Sequence, residues 1–260
     1  MIAQLQTRAV TDKNRLQAFL NTDRLWHAYA LADLAEPYFS RCRWLAAEEA
    51  GAIVSLVLRF DGLTPPALLA MGRADCLPAL LAGEGLPPTA MMLGLEEHLP
   101  HLLAHYRPQY LDPMLRMALP ARNFRPVPSG NALRLDAGHL PALELLYRNS
   151  RGNAFAPYQL EQGVFYGLFA GDELVSAAGT HIIAPEYGIA AVGNVCTRPG
   201  HRGRGYAARV TAAVCRHLLA QNLDIVLNVE QTNAPAVRLY QKLGFVEHCS
   251  FWEGVGERKG

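Results

Sequence analysis

The chain has 260 residues, half of them apolar and 18% charged, with a formal net charge of +1. That length fits two domains of about 130 residues each, with enough apolar mass for packed cores. Residues 1–130 hold 12 basic and 12 acidic side chains and residues 131–260 hold 12 and 11, which excludes a basic nucleic-acid module or a polybasic membrane binder in either half. Five scattered cysteines, Cys42, Cys76, Cys196, Cys215 and Cys249, argue against a disulfide framework or a zinc site and for a reducing compartment. The opening MIAQLQTRAV is unlike a signal peptide and no run reaches 18 apolar residues, so the expected location is the cytoplasm, without a membrane segment.

In chain order, Leu5 to Val10 reads as a strand and Asp12 to Leu20 as a helix. Arg43 to Ala50 and Ala52 to Phe60 read as a hairpin around Gly51, followed by a strand over Ala67 to Met71 and a helix over Cys76 to Leu81. Ala90 to Leu95 reads as a strand, Glu97 to Tyr106 as a helix and Met114 to Leu119 as a closing strand. His101 and His105 share a helix face in the string from His98 to His105, but no Glu follows His101 and no third ligand is evident, so surface histidines are favoured over a metal site. Pro120 to Gly130 is rich in proline, polar and without apolar period, which predicts a linker between domains spanning 1–125 and 126–260.

The second half alternates more clearly. Ala132 to Asp136 reads as a strand and Leu140 to Tyr147 as a helix. Val164 to Ala170 and Glu173 to Ala184 flank Gly171-Asp172 as a hairpin, and Tyr187 to Thr197 is a further strand. A helix from about Gly205 to Gln221 follows a glycine-rich turn, with Ala207, Val210, Val214 and Leu218 at helical intervals. Asp224 to Val229 reads as a buried strand. Asn233 caps the next helix, with Pro235 in its first turn and Gly244 past its end, and Val246 to Trp252 is the last strand. The fold class is therefore α/β, of the α+β type with a mixed sheet. The first half follows a similar order and reads as a decayed structural copy of the second, on pattern and not on residue identity.

The turn His201-Arg202-Gly203-Arg204-Gly205-Tyr206-Ala207 carries the strongest chemical signal. Between a strand and a helix it exposes backbone N–H groups at the positive end of a helix dipole, a site suited to a pyrophosphate. It is neither a Walker loop nor a dinucleotide fingerprint, and by itself it reads equally as a tight turn with solvated arginines.

Arg202-x-x-Gly205-x-Ala207, the preceding Val195-Cys196-Thr197-Arg198-Pro199 and the segment Asn233-Ala234-Pro235-Ala236-Val237-Arg238-Leu239-Tyr240-Gln241-Lys242-Leu243-Gly244-Phe245 together resemble the motifs of the GNAT acetyltransferase superfamily. The resemblance covers roughly residues 130–255. It implies a GNAT fold in the C-terminal half and a degenerate GNAT-like domain before it, where Met71-Gly72-Arg73-Ala74-Asp75 stands in place of the loop. It implies an acyl-CoA site in which backbone groups of Val195 and Thr197, beside Cys196, pair with pantetheine. Arg202, Gly203, Arg204, Gly205, Tyr206 and Ala207 would hold the pyrophosphate, with Asn233 and Ala236 near the pantetheine. Tyr240 would protonate the departing thiolate, although spacing alone reads it as a core residue of its helix face.

The reaction implied is direct transfer of an acetyl or other short acyl group from acyl-CoA to the primary amine of a small molecule, by a monomer or homodimer needing no metal. The alternative is a non-catalytic acyl-CoA-binding sensor or partner module. The general base is not readable. Glu230, Glu186, Asp172 and His181 are candidates by location, a water chain is another route, and an acyl-cysteine route through Cys196 is disfavoured because buried cysteine is usually inert.

Overall fold

A computed structural model of the chain describes residues 5–83, 85–148 and 155–260. The described residues form two compact α/β units. Unit 1 comprises Met1–Leu115, Glu230–Thr232 and Cys249–Gly260, and unit 2 comprises Arg116–Val229 and Asn233–His248.

In unit 1, strands β1 (Gln6–Ala9), β2 (Cys42–Glu49), β3 (Ala52–Phe60) and β4 (Ala67–Gly72) pair antiparallel in that order, and β4 then pairs parallel with β5 (Thr89–Gly94). Helices α1 (Lys13–Leu20) and α2 (Ala28–Ala32) join β1 to β2. The crossover α3 (Leu77–Leu81) joins β4 to β5, and α4 (Leu99–His105) leads into β6 (Tyr106–Ala118). Val57, Leu68, Leu77, Leu80, Met92, Leu102 and Tyr106 form the core of this unit.

Unit 2 repeats the plan. Strands β7 (Leu133–Leu135), β8 (Phe165–Ala170), β9 (Glu173–Ala184) and β10 (Ile189–Thr197) are antiparallel, and β10 pairs parallel with β11 (Asp224–Glu230). Helices α5 (Leu140–Tyr147) and α6 (Pro157–Gln162) precede β8. Helix α7 (Tyr206–Leu219) makes the crossover from β10 to β11, and α8 (Ala234–Leu243) follows β11. The α7 periodicity has a direct cause: Val210, Val214 and Leu218 are fully buried and the helix packs on β8, β9 and β10. Full burial of such a side chain stabilises by about 1.5–3 kcal/mol. The same strand order and polarity in both units make the fold a duplicated mixed α/β sheet.

The closing strands depart from the sequence expectation. The strand expected over 114–119 is the 13-residue β6, and the one expected over 246–252 is the 13-residue β12 (Val246–Arg258). Pro108 and Pro113 lie inside β6 and hide its strand character. Strand β12 pairs antiparallel with β5, from Trp252 opposite Gly94 to Glu257 opposite Thr89, so the chain's last strand completes the sheet of unit 1. The end of β6 enters unit 2, where Leu119 N–H donates to Ile225 O on β11 (2.9 Å).

The stretch 120–130 is not a free linker. Arg125 N–H donates to Leu243 O (3.0 Å) and Arg216 reaches Val127 O (3.3 Å), pinning it to α8 and α7 within unit 2. Compact packing parts the chain at Leu115/Arg116, and crosses again near residues 230 and 248, instead of making a single cut at 125/126. The helix expected over 97–106 begins later, because Pro100 fits only a first turn; a 3-10 turn, Glu96–His98, precedes α4. No helix among the described residues is long and apolar enough to cross a membrane.

Candidate functional site

The site is built where two parallel strands part. β10 and β11 pair from Ile189/Asp224 to Val192/Leu227, and among the described residues no pair joins them beyond that point, although β10 runs on to Thr197 and β11 to Glu230. A register shift against β9 lies at the same place. Gly193 opposes Gly179 and Cys196 opposes Ala177, so Asn194 and Val195 together face the single residue Ala178. Asn194 holds the bulge with a left-handed φ of 51°, and bulges of this kind bend a strand and re-aim its groups.

The direction of the freed groups follows from the ladder. Cys196 O accepts from Ser176 Oγ (3.1 Å) and Arg198 N–H donates to Val175 O (2.9 Å), so both residues turn toward β9. Strand alternation then turns the backbone of Val195 and Thr197 toward the edge that β11 has left. An extended, amide-bearing ligand can pair there as an added strand. The partly buried Cys196 side chain packs against the core formed by Leu143, Tyr147 and Phe165, a packing setting in which a thiol is usually inert.

The glycine-rich turn lies between the end of β10 and α7. Arg202 Nε donates back to Thr197 O (3.2 Å), and the His201 ring stacks on Tyr206 with centroids 6.3 Å apart. Gly203 and Gly205 both have φ of 76°, and a Cβ on either would meet nothing within 4 Å. The protein therefore leaves open space beside the first turn of α7, whose leading N–H groups lack helical acceptors. Arg202 and Arg204 are exposed around this opening. The residues present thus fit a pyrophosphate: donors, positive charge and room coincide.

Helix α8 follows from its sequence signals. Asn233 Oδ1 accepts from Ala236 N–H (3.2 Å), Pro235 sits in the first turn, and Gly244 ends the helix at φ 103°. Asn233 is exposed and Ala236 partly so, at the end of α8 nearest the end of β11. Tyr240 is buried at 8% exposure with its ring edge-on to Phe245 (5.8 Å). Burial, with Cys215 adding to it, pushes the Tyr240 phenol well above the ordinary tyrosine range. It keeps its proton at neutral pH and can donate it.

Unit 1 treats the corresponding place differently. The β4/β5 pairing ends at Leu69/Leu93, and beyond it the wholly buried His98 bridges the two strands. His98 Nδ1 accepts from Leu95 N–H (3.2 Å), which leaves the proton on Nε2 to donate to Gly72 O (2.8 Å). Burial holds the His98 pKa below the usual histidine value, in keeping with this neutral ring. The turn after β4 is also closed to anions, because Arg73 is paired with Glu49 (2.8 Å) and Asp75 (2.6 Å). The histidine string that raised a metal reading thus includes one residue serving as a strand brace. Among the described residues no group of three or more His, Cys, Asp or Glu could hold a metal.

Comparison with known proteins matches residues 165–252 to the family model described as FR47-like protein. A mycothiol acetyltransferase of Tsukamurella paurometabola is 30% identical over 163 residues, 52% of this chain and 56% of that protein. A second mycothiol acetyltransferase, from Streptomyces scabiei, is 39% identical over 85 residues, 32% of this chain and 27% of that protein. The chain therefore spans between about a quarter and just over half of the length of these curated relatives. Among solved structures, a tandem GNAT protein from the clavulanic acid biosynthesis pathway matches over 99% of both chains, with a TM-score of 0.56 at 12% identity. The chain shares the GNAT fold of such structures, and the family-model match lies within its second half. Its GNAT fold is duplicated, and the GNAT motif stands in the second copy. Sequence reasoning missed the His98 brace in the first GNAT copy and the bulges beside the splayed strands in the second. The only sequence signal for the latter is the pair Gly193-Asn194, residue types that tolerate unusual backbone angles.

Proposed function

We propose that the chain is an N-acetyltransferase that transfers an acetyl group, or another short acyl group, from acyl-CoA directly to the primary amine of a small molecule. One observation carries this reading: the freed backbone edge at Val195 and Thr197 leads straight into the open, positively charged turn before α7. An acyl-CoA has the matching shape, with an amide-bearing arm ending in a pyrophosphate. In this reading the arm pairs with Val195 and Thr197, beside Cys196. Arg202, Gly203, Arg204, Gly205, Tyr206 and Ala207 hold the pyrophosphate, and Asn233 and Ala236 border the arm from α8. The amine attacks the thioester carbonyl, and Tyr240 gives its proton to the leaving sulfur. The catalytic residues all fall in unit 2, with unit 1 as the decayed copy. The acetyltransferase names of the curated relatives support acetyl as the group moved.

The test is acetyl-CoA titrated into the full chain by calorimetry, followed by thiol release from acetyl-CoA across a panel of primary amines. One acetyl-CoA per chain and turnover with at least one amine are expected. Two equivalents would mean that the His98 brace does not close the first copy. Saturable binding with no turnover on any amine would favour the sensor reading.

A further inference from the structure

We propose that His181 is the general base that takes the proton from the attacking amine, an inference that rests on the acetyltransferase reading above. It begins with a second register irregularity. On β9, Ile182 opposes Ala191 but Thr180 opposes Val192, so His181 is an extra residue bulged out of the β9/β10 ladder. That bulge falls beside Val192, the last residue of β10 paired to β11, and is followed by the Asn194 bulge on β10. Two irregularities thus bracket Gly193 where the strands begin to part. Bulges next to active sites commonly re-aim one side chain, and here the side chain re-aimed is an imidazole.

The ring lies directly over Gly193. A Cβ at Gly193 would overlap His181 Cδ2, Nε2 and Cε1, so only glycine admits the imidazole at this point of β10. The bulge's neighbours Gln159, Asn194 and Tyr147 are polar and uncharged. Gln159 of α6 donates to His181 O (3.2 Å) while its Oε1 accepts from Asn194 Nδ2 (3.1 Å) and Ala156 N–H (2.9 Å). Tyr147 of α5 donates to Asn194 O (2.6 Å), and burial raises the pKa of that phenol far above the ordinary value, so it stays neutral. Asn194 Oδ1 is buried beside the ring, and the Asn194 side chain interacts with the His181 imidazole. The bulge is therefore a built feature, held from both helices that precede β8.

Protonation chemistry agrees with the geometry. Burial lowers the His181 pKa below the usual histidine value, against an opposing influence of the Asn194 side chain. The ring is neutral at pH 7 and able to accept a proton. The carboxylates Glu230, Glu186 and Asp172 are all exposed, the last two in turns at the ends of β9. In the step, the amine nitrogen forms a bond to the thioester carbonyl carbon and the carbon–sulfur bond breaks. His181 takes the proton lost by nitrogen, and Tyr240 supplies the one gained by sulfur. The products are the N-acetyl amide and the CoA thiol, and the proton on His181 returns to Tyr240 through solvent.

The experiment compares the full chain with its His181→Gln variant. Thiol release from acetyl-CoA is measured with glucosamine, spermidine and tryptamine as acceptors, from about pH 5 to 8.5, a range that covers histidine titration. In the same samples the histidine ring signals are followed by NMR as acetyl-CoA is added. At saturation the wild-type kcat should fall with acid below pH 6.5, the ordinary histidine value. His181→Gln should lose at least about a hundredfold in kcat and lose that acid limb. Its acetyl-CoA affinity should stay within about fivefold. The wild-type His181 ring signal should move when acetyl-CoA binds. Near wild-type kcat in the variant, an unchanged acid limb, or a His181 signal unmoved by saturating acetyl-CoA would each overturn the assignment. If no amine is turned over, the NMR arm decides alone. Failure of the wild-type chain to bind acetyl-CoA at all would instead sink the acetyltransferase reading.

Discussion

Gly205→Glu separates the cost to the fold from the cost to the ligand, because the structure gives the two different sizes. Gly205 has φ of 76° and open space around the Cβ position. The substituted side chain therefore clashes with nothing in the protein. Its fold cost is the backbone penalty of a left-handed L-residue, about 1–2 kcal/mol. For a cooperative unit of about 150–250 residues each kcal/mol is worth about 2–4 °C in Tm, so the ligand-free variant should melt roughly 2–8 °C lower. Acetyl-CoA at a hundredfold excess over its Kd stabilises by about 2.7 kcal/mol, roughly a 5–11 °C rise for the wild type. A glutamate at the mouth of α7 puts bulk and negative charge where the pyrophosphate would lie, and the variant should show no rise. The assay is a thermal melt with and without acetyl-CoA, backed by circular dichroism to show that the sheet is intact. Gly205→Asn, whose side chain tolerates the left-handed region, should recover most of the ligand-free Tm while still weakening binding. A full wild-type rise in Gly205→Glu would refute the placement of the phosphates at this turn.

Tyr240→Phe should lower turnover at least about a hundredfold while shifting acetyl-CoA affinity by less than about 1 kcal/mol, as read from steady-state kinetics beside calorimetry. Wild-type turnover when chemistry limits the rate would remove the proton-donor role. Acid should destabilise unit 1 through His98. Its native pKa is depressed, so its contribution is complete above the unfolded value of about 6.5 and drains away as pH falls from there through the native pKa, by up to about 1.4 kcal/mol per pH unit. Urea melts at pH 7.5 and 5.5 should show the fall, and His98→Gln should flatten this share of it while lowering stability at pH 7.5. A wild-type chain equally stable at both pH values would contradict the buried neutral ring.

Much of unit 2 could be read from the residues because its signals are local. Asn233, Pro235 and Gly244 delimit α8, Gly171-Asp172 marks the β8/β9 turn, and the spacing of Val210, Val214 and Leu218 announces α7. Those signals act within one or two turns of chain, where cap and turn chemistry is strong. The parting of β10 from β11 has a weaker signature, only the pair Gly193-Asn194 directly after the apolar run Ile189 to Val192 where pairing stops. The His181 bulge was hidden for a related reason: both faces of β9 are buried from Leu174 to Thr180, so no polar alternation exists whose interruption could be noticed. His98 was visible only as one of several histidines, because its role depends on Gly72, 26 positions earlier in the chain. Short helices such as α2 and α6 carry too few turns for periodicity to emerge.

The pairing of β12 with β5 sets a timetable for making the protein. Unit 1 starts at the front of the chain, yet a ribosome must add roughly 150 residues after β5 before β12 exists to lie against it. At about 5–20 residues per second that interval lasts on the order of ten to thirty seconds. Through it the β5 edge offers a row of unmatched amides, flanked by the apolar Met91 and Met92, to any other nascent strand. Trp26 waits for its partner as well, since it packs on Phe251 (5.3 Å). Native unit 1 thus forms only after β12 has been made, and its partly made form is a natural client for a chaperone that shields sheet edges. Overproduction at low temperature, or with such a chaperone in excess, should raise the yield of native chain, and truncation before Cys249 should leave unit 1 aggregation-prone even though every residue of β1 to β5 is present.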